Sequence, residues 1–320
     1  MKPIGGYFGL ELPQGTLPHP DAIPVNFGRG GLELILRVRK YHRVWIPNYI
    51  CPCVPQFLNR FDVSYSTYKI NDLLEPINIP RLNKDDAFLY VNYFGIKNDY
   101  CRQLEKYQPN LILDLTQAFY YIPRNADGFN SARKFFGVPD GGFVYLNPAS
   151  GKIDELSRIN LPVSNSYSSC AALLHRADGD LAGGYAAFHE SEAILGSQSL
   201  AAMSQLTRRM LSACDIEHVR QQRIQNFRHL AEALHPMNRF RIELDDTTAP
   251  LIYPYLVSNG ESLKKHLIDN QIFCPTYWPN IESVNPFISE FISNLVCIPL
   301  DQRYSCDDMK RIVEVIKNDN

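Results

Sequence analysis

Lys134 is the residue of this chain whose type and surroundings best suit covalent chemistry. It stands three positions after Ser131 and directly before the apolar pair Phe135-Phe136. In a low-dielectric site a lysine loses part of its charge, and the free amine is then a nucleophile that forms a Schiff base with a carbonyl compound. The alternative is an ordinary solvated lysine, which is the commoner state of this residue.

Asp114 is the second candidate, because it closes the apolar run of residues 111–113. A carboxylate at the end of a buried strand is partly desolvated, and this favours a cationic partner such as a protonated pyridine nitrogen. The alternative is an Asp that caps the following turn.

A glycine cluster that includes Gly28, Arg29 and Gly30 precedes a helical pattern over residues 32–40. Glycines let the backbone approach a ligand closely, and the free N–H groups of a helix start favour a phosphate. A plain turn is the alternative. A phosphate site, a carboxylate for a ring nitrogen and a lysine for a Schiff base together predict pyridoxal 5'-phosphate (PLP) as cofactor.

The elements that must position these residues are short apolar strands alternating with helices. The patterns predict strands over 44–46, 63–68, 87–92, 111–113 and 142–146, and helices over 32–40, 54–61 and 99–107. This alternation indicates an α/β fold with a mostly parallel sheet covered by helices. Ligands of such sheets bind at the carboxyl ends of the strands, where the three candidate features fall.

The second half of the chain predicts a smaller α/β unit. A helical pattern runs over 191–234, followed by strands over 252–257 and 295–298 and helices over 262–270 and 306–317. We therefore expect a large domain over 1–214, with an irregular arm over 1–25, and a small C-terminal domain over 215–320. A long helix over 215–234 would join them.

Composition narrows the function class. The 320 residues are 45% hydrophobic and 21% charged with a net charge of −2, so neither nucleic acid nor an anionic membrane is expected as partner. No leader pattern and no apolar run of roughly 20 residues is evident. The eight cysteines are scattered, and Cys51 and Cys53 lack the further ligands of a zinc site, so we expect no metal and a reducing, cytoplasmic setting.

In its motifs the sequence resembles the DegT/DnrJ-type sugar aminotransferases, PLP enzymes that aminate nucleotide-linked keto-sugars. That family carries Asp-x-Ala-Gln/His-Ala, a lysine about twenty residues later, and then Gly-Gly. Here Asp114-Leu-Thr-Gln117-Ala, Lys134 and Gly141-Gly142 follow in the same order. Softer matches extend the resemblance over most of residues 20–315, and it implies the fold of a fold-type I PLP transferase.

The resemblance also implies roles for the matching residues. Lys134 would form the internal aldimine and move the proton, Asp114 would hold the pyridinium nitrogen, and Gln117 would lie near the ring's 3-oxygen. The phosphate would be bound by Gly28, Arg29 and Gly30, with the hydroxyl of Ser131. The family's ring-stacking aromatic falls at Cys51, and Tyr49 is the alternative two residues earlier.

Tyr93, Trp278 and Arg303 are predicted to contact substrate. A guanidinium matches a carboxylate with two hydrogen bonds, so Arg303 would bind the amino donor, and the alternative is an ion pair with Asp301 or Asp307. Trp278 would line a sugar or a base, and the alternative is packing of the small domain.

Two departures from the family pattern leave three functions open. Phe129 stands where the family has Ser, and Asn92 where it has His. The first function is a transaminase that moves an amino group, for instance from glutamate, to a nucleotide-linked keto-sugar. The others are a catalytically silent PLP-fold binding protein and a PLP-dependent lyase or dehydratase; the presence of Lys134 argues against the silent protein. The resemblance further implies a homodimer and a role in polysaccharide biosynthesis.

Overall fold

The computed structural model describes residues 4–150, 156, 158–279, 281 and 286–318. In chain order its strands and longer helices are β1 (Ile23–Val25), α1 (Gly28–Arg39), β2 (Arg43–Pro47), α2 (Cys53–Arg60), β3 (Ser64–Tyr68), β4 (Asp86–Val91), α3 (Asn98–Tyr107), β5 (Leu111–Leu115), β6 (Asp127–Asn130), β7 (Gly142–Tyr145), α4 (Ala171–Ala177), α5 (Leu181–Ser197), α6 (Gln205–Ala213), α7 (Ile216–Leu234), β8 (Ile252–Leu256), α8 (Gly260–Asp269), α9 (Pro286–Asn294), β9 (Leu295–Pro299) and α10 (Cys306–Lys317). Among the described residues, no helix has both the length and the apolar character needed to span a bilayer.

A seven-stranded sheet in the order β1-β7-β6-β5-β4-β2-β3 forms the centre of the molecule. Its pairings from β3 through β2, β4 and β5 to β6 are parallel, whereas β7 runs antiparallel to both β6 and β1. Every residue of β4 and β5 is buried. Parallel strands covered on both faces need such continuous apolar runs, so the predicted α/β fold with a mostly parallel sheet is confirmed.

The register of the central strands places Asp114 level with its neighbours at one edge of the sheet. Asp114 pairs with Val91 of β4 on one side and with Phe129 of β6 on the other. Because these strands are parallel, the segments that follow them emerge at the same edge. The connection from β6 to β7, which contains Lys134, therefore begins beside the end of β5.

Helix α1 packs closely on the sheet. A Cβ added at Gly31 would lie 2.7 Å from the Cβ of Phe129 and 3.1 Å from Cγ2 of Val144. Only glycine fits this approach, and the large Phe129 fills the space on the opposite side of it. The family position that Phe129 occupies is thus a core position in this chain.

The C-terminal half builds the second sheet from β8 and β9, which pair antiparallel. This half is joined to the turn after β4, where the N–H of Leu251 donates to the carbonyl of Phe94 at 2.8 Å. The predicted domain boundary at residue 215 falls between α6 and α7, and it stays a prediction.

Several local predictions were wrong. The supposedly irregular arm contains β1, and β6 was not predicted at all, because Asp127-Gly128-Phe129-Asn130 has the composition of a turn rather than of a strand. The helical pattern over 191–234 is three helices, with breaks after Ser197 and Ala213. Helix α9 also lacked a recognised pattern in the sequence.

Candidate active site

Four strand ends meet at the edge of the sheet that carries the candidate residues. Strands β2, β4, β5 and β6 end at Pro47, Val91, Leu115 and Asn130. The N–H of Asn92 donates to the carbonyl of Asp114 at 3.0 Å, which ties the ends of β4 and β5 together. Side chains that follow these strands are thereby brought to one place.

The structure brings Lys134 and Asp114 together through Thr116. The Nζ of Lys134 donates to Oγ1 of Thr116 at 3.3 Å, and the N–H of Thr116 donates to Oδ1 of Asp114 at 2.9 Å. Burial raises the pKa of Asp114, and the charge of Lys134 acts in the opposite direction. Asp114 is therefore a desolvated carboxylate beside a cationic amine. A second cationic group would stabilise its negative charge, which water does not reach.

Lys134 itself is exposed in the single chain, so the prediction that it lies in a low-dielectric site is not met there. It ends a short 3₁₀ turn of residues Ala132–Lys134 that directly follows β6. The apolar pair Phe135-Phe136 after it is buried, whereas Lys134 is exposed. Exclusion of water from this amine would require a further covering group.

The start of α1 reaches the same edge. A Cβ added at Gly28 would lie 3.1 Å from Cγ2 of Thr116 and 3.6 Å from Cβ of Ser131. Phe27, the residue before the helix, makes no side-chain cap. The N–H groups of Gly28, Arg29 and Gly30 open α1 without a side-chain cap, and Gly28 lies next to Thr116 and Ser131, so this helix start suits an anion.

Gln117 is fully buried behind this edge. Its Oε1 accepts a hydrogen bond from the N–H of Phe94 at 2.6 Å. Its Nε2 is buried and has no partner among the described residues. An unpaired buried amide donor is costly, so an acceptor oxygen of a ligand would supply the hydrogen bond that Nε2 lacks.

Of the two candidates for stacking on a ring, only Cys51 adjoins the charged pair. Cys51 is partly exposed, and its thiol has a pKa lowered to about 6, first by a hydrogen bond from Cys53 and further by the charge of Lys134, while Asp114 acts in the opposite direction. Tyr49 instead is buried, with its ring stacked at 5.8 Å on Tyr93. The structure therefore places a thiol where the family has an aromatic ring.

The side chains of the predicted substrate residues are occupied by contacts within the chain. Tyr93 is fully buried, and its hydroxyl donates to the carbonyl of Tyr49 at 2.6 Å, so its side chain is not open to a substrate. Trp278 is partly buried with its ring 4.8 Å from that of Tyr49, which is the packing alternative. Arg303 makes two hydrogen bonds with Asp301, at 2.7 and 2.8 Å, which is the ion-pair alternative.

Two features of the site were missed in the sequence. Thr116 stands where the family motif has Ala, and the sequence did not predict that it links the amine to the carboxylate. Asn92, which replaces the family's His, is fully buried and bonds to the side chain of Asn98 and the N–H of Lys97. Its role is to shape the turn after β4, which a spacing argument does not reveal.

A cavity of about 1040 Å³ lies elsewhere, between α3 and the segment 240–249. Gly95 and Ala118 line it, but Lys134 and Asp114 do not. Within the described residues, no group of three or more His, Cys, Asp or Glu side chains is arranged to hold a metal ion.

The fold is shared with solved aminotransferase structures. A DegT DnrJ EryC1 StrS aminotransferase from Brucella abortus matches 93% of this chain and 85% of its own at 14% identity, with a TM-score of 0.63. The sugar aminotransferase CalS13 from Micromonospora echinospora matches 93% and 87% at 16% identity, also with a TM-score of 0.63. DesI, solved in the presence of its TDP-sugar product, matches 93% and 80% at 15% identity with a TM-score of 0.63. At such identities the likeness shows the fold. Neither a protein-family model nor a curated protein matches the sequence.

Proposed function

We propose that this chain is a PLP-dependent aminotransferase that moves an amino group from an amino acid, such as glutamate, to a nucleotide-linked keto-sugar. The observation that carries the proposal is the convergence of Lys134, Thr116 and the buried Asp114 at the carboxyl edge of a parallel sheet. An amine and a desolvated carboxylate at this spacing are the two protein groups that PLP needs most.

The residues present fit the cofactor on three counts. The unpaired Nε2 of Gln117 offers a donor for a ring oxygen. The close approach of Gly28 to Thr116 and Ser131 leaves a cradle of backbone N–H groups that a larger residue would fill. The raised pKa of Asp114 shows a carboxylate whose charge lacks solvation, and a protonated ring nitrogen would supply the missing partner.

When bound, PLP supplies an electron sink for the carbon that exchanges the amine. Lys134 would bind its aldehyde covalently and afterwards move a proton as general base and acid. Asp114 would keep the ring nitrogen protonated, and the start of α1 with Ser131 would hold the phosphate. Thr116 would orient the amine of Lys134 while it is free, and Cys51 would cover one face of the ring.

The substrate class is the finer part of the proposal. The names of the structural neighbours support it, since CalS13 is a sugar aminotransferase and DesI was solved with a TDP-sugar product. For the amino donor, Arg303 would have to exchange its ion pair with Asp301 for the donor's carboxylate. Because the Arg303 side chain is 53% exposed, this exchange needs no rearrangement of the core. A role in polysaccharide biosynthesis would follow from such a product.

We further propose a homodimer in which a second copy covers the site. Lys134 is exposed in the single chain, and the adjacent α4–α5 hairpin (Ala171–Ser197) presents Leu174, Leu181, Tyr185 and Phe188 to solvent. Exposed apolar clusters of this kind mark association surfaces. Eight free cysteines agree with a cytoplasmic location, which is part of the same proposal.

The test is a half-reaction. The chain is loaded with PLP, freed of excess cofactor and mixed with glutamate, and the products are separated. A transaminase yields 2-oxoglutarate and an equal amount of pyridoxamine phosphate, and the amine-loaded protein then aminates a member of a panel of nucleotide-linked keto-sugars. Release of ammonia with unchanged PLP would indicate a lyase, and no conversion of any amino acid would leave the silent binding protein.

A further inference from the structure

Phe135, the residue after Lys134, is contacted by two side chains from the C-terminal half of the chain. Its carbonyl accepts a hydrogen bond from Nε2 of Gln302 at 2.7 Å. Its ring lies under the guanidinium of Arg223, whose Cζ is 4.6 Å from the ring centroid. Gln302 follows β9 and Arg223 lies on α7, so both groups come from elements remote in sequence from the turn they hold.

The burial of Arg223 is unusual for a cation. It is 1% exposed, and among the described residues no hydrogen bond or ion pair joins it to a carboxylate, although the charge of Asp301 acts on it. Its Nη1 donates to the carbonyls of Pro250 and Leu251, each at 3.2 Å, and its Nε has no partner in that part of the chain. Burial lowers its pKa. The guanidinium thus lies against the Phe135 ring although burial disfavours its charge and only part of its hydrogen-bonding capacity is used.

Gln302 shows the same pattern. Its Nε2 is used for Phe135, while its Oε1 is buried without a partner among the described residues. The side-chain amide of Gln302 thus donates to the turn of residues 132–136, called the lysine turn below, while its oxygen stays unpaired. Two imperfectly satisfied polar groups therefore converge on one residue, the neighbour of the candidate catalytic amine.

Hydrogen bonds within the lysine turn couple the position of Phe135 to that of Lys134. The N–H groups of Phe135 and Phe136 both donate to the carbonyl of Ala132, at 3.0 and 2.9 Å, which closes the turn around the lysine. On the other side Nη1 of Arg133 lies 2.5 Å from Oε1 of Glu192 on α5. A shift of Phe135 would therefore move the base of the Lys134 side chain relative to Asp114.

We propose that Arg223 and Gln302 are positioning residues that set the place of the Lys134 amine through Phe135, so that the arrangement of the C-terminal elements controls the reactive group. The proposal rests on the proposed role of Lys134 as the cofactor-bearing residue. The two residues would couple the C-terminal half of the chain to the reactive amine at the edge of the sheet.

The test compares two glutamines that donate to backbone carbonyls, Gln302 in the loop after β9 and Gln222 on α7. Gln302→Met removes the bond to Phe135. Gln222→Met removes a bond of the same kind, from Nε2 of Gln222 to the carbonyl of Tyr304 at 3.2 Å, together with one to Oδ1 of Asn226 at 3.0 Å, and does not touch the turn that carries Lys134. Both changes replace a neutral side chain by a neutral one of similar length. Any altered titration at Lys134 would then report a change of position rather than a change of charge.

Two readouts follow, one without cofactor and one with it. In the cofactor-free protein, amide hydrogen exchange at residues 135 and 136 should speed up about tenfold in Gln302→Met and stay unchanged in Gln222→Met. In the PLP-loaded protein, the pH midpoint of the visible absorbance band should shift by about 0.5 unit or more in Gln302→Met alone, since the environment of the lysine nitrogen changes.

Equal behaviour of the two glutamine variants in both readouts would overturn the proposal. Arg223→Met should shift the band as Gln302→Met does, and Arg223→Lys, which keeps a cation over the ring, should restore much of the wild-type midpoint. If the chain never bound PLP at Lys134, the exchange experiment would still decide whether Gln302 holds the lysine turn. If Gln302→Met bound PLP normally and its amide exchange at residues 135 and 136 were unchanged, the positioning role would be refuted and the proposed function would stand.

Discussion

The amine of Lys134 lies 3.3 Å from the hydroxyl oxygen of Thr116 and donates a hydrogen bond to it. The backbone N–H of the same threonine bonds to the carboxylate of Asp114. One residue that the family motif does not require thus joins the nucleophile to the carboxylate. A substitution of Thr116 is therefore the simplest test of the geometry of the site.

Thr116→Val should strengthen the binding of PLP up to about fivefold, because the hydrogen bond of about 1 kcal/mol to the free amine of Lys134 no longer has to be broken when the cofactor binds, while the backbone bond to Asp114 remains. A titration of the cofactor-free protein with PLP, followed by absorbance, measures the effect. Thr247→Val is the matched control, since the hydroxyl of Thr247 donates to Asp245 away from the site. Equal affinities of Thr116→Val and wild type would show that the hydroxyl does not orient Lys134.

Asp114→Asn should stabilise the cofactor-free protein near neutral pH. Because burial raises the pKa of Asp114 above its ordinary value of 3.8, the fold loses stability as the pH rises from that value through the higher folded pKa. The asparagine removes this penalty, so the gain in Tm should be large at pH 7 and vanish near pH 4. The same change should lower PLP affinity at least about tenfold, since a charge-assisted bond is lost.

Asp245→Asn is the control of opposite sign. Hydrogen bonds from Thr247, Thr248 and Arg102 hold the pKa of Asp245 down at about 2 although burial opposes them. Its ionised form therefore stabilises the fold above the ordinary value of 3.8, and this contribution is lost as the pH falls through about 2. Asp245→Asn should lower Tm at pH 7. A drop of Tm in both variants would contradict the account of Asp114 as a carboxylate in need of a partner.

Cys51 should be the thiol that reacts at the lowest pH. Since its pKa is lowered to about 6 by Cys53 and Lys134, iodoacetamide labelling should reach half its maximal rate near pH 6, and Cys53→Ala or Lys134→Met should move that midpoint upward. Peptide mass spectrometry measures the rate, with the exposed Cys306 as an internal reference. Bound PLP should protect Cys51 and leave Cys306 reactive. Labelling of Cys51 that PLP does not slow would place the thiol outside the cofactor site.

Gly142→Ala should destabilise the protein by about 2 kcal/mol or more, because overpacking against backbone has no cheap relief. A Cβ at this position would lie 2.5 Å from the carbonyl oxygen of Asn130, where β6 leads into the lysine turn. Gly137→Ala is the control, since its Cβ would meet only Cδ2 of Leu173 at an ordinary 3.7 Å. Urea denaturation compares the two variants, and a similar loss in both would refute the steric argument.

The fold and the main candidate residues were predictable because they depend on local patterns. Apolar runs such as 87–92 and 111–113 mark buried strands whatever surrounds them. Asp114 closes one of these runs, and Lys134 follows it in the order of a known motif. The short strand β6, with its turn-like composition, is held by its neighbours rather than by its own propensity. No single-sequence pattern therefore revealed it.

The remaining features depend on contacts between distant parts of the chain. The bond from Gln302 to Phe135 spans 167 positions, and the one from Asn98 to Thr248 spans 150. Arg303 shows a different limit, because the residue type alone does not distinguish a ligand for the donor's carboxylate from a partner in a local ion pair. The structure shows the ion pair with Asp301 two residues away.

Borohydride reduction of the PLP-loaded protein tests the central claim most directly. The protein is loaded, reduced, digested and mapped by mass spectrometry, in the wild type and in Lys134→Arg. The account predicts a yellow wild-type protein whose reduced cofactor is found on the peptide with Lys134, and a variant that retains none. A colourless wild type, or a pyridoxyl group on another lysine, would contradict it.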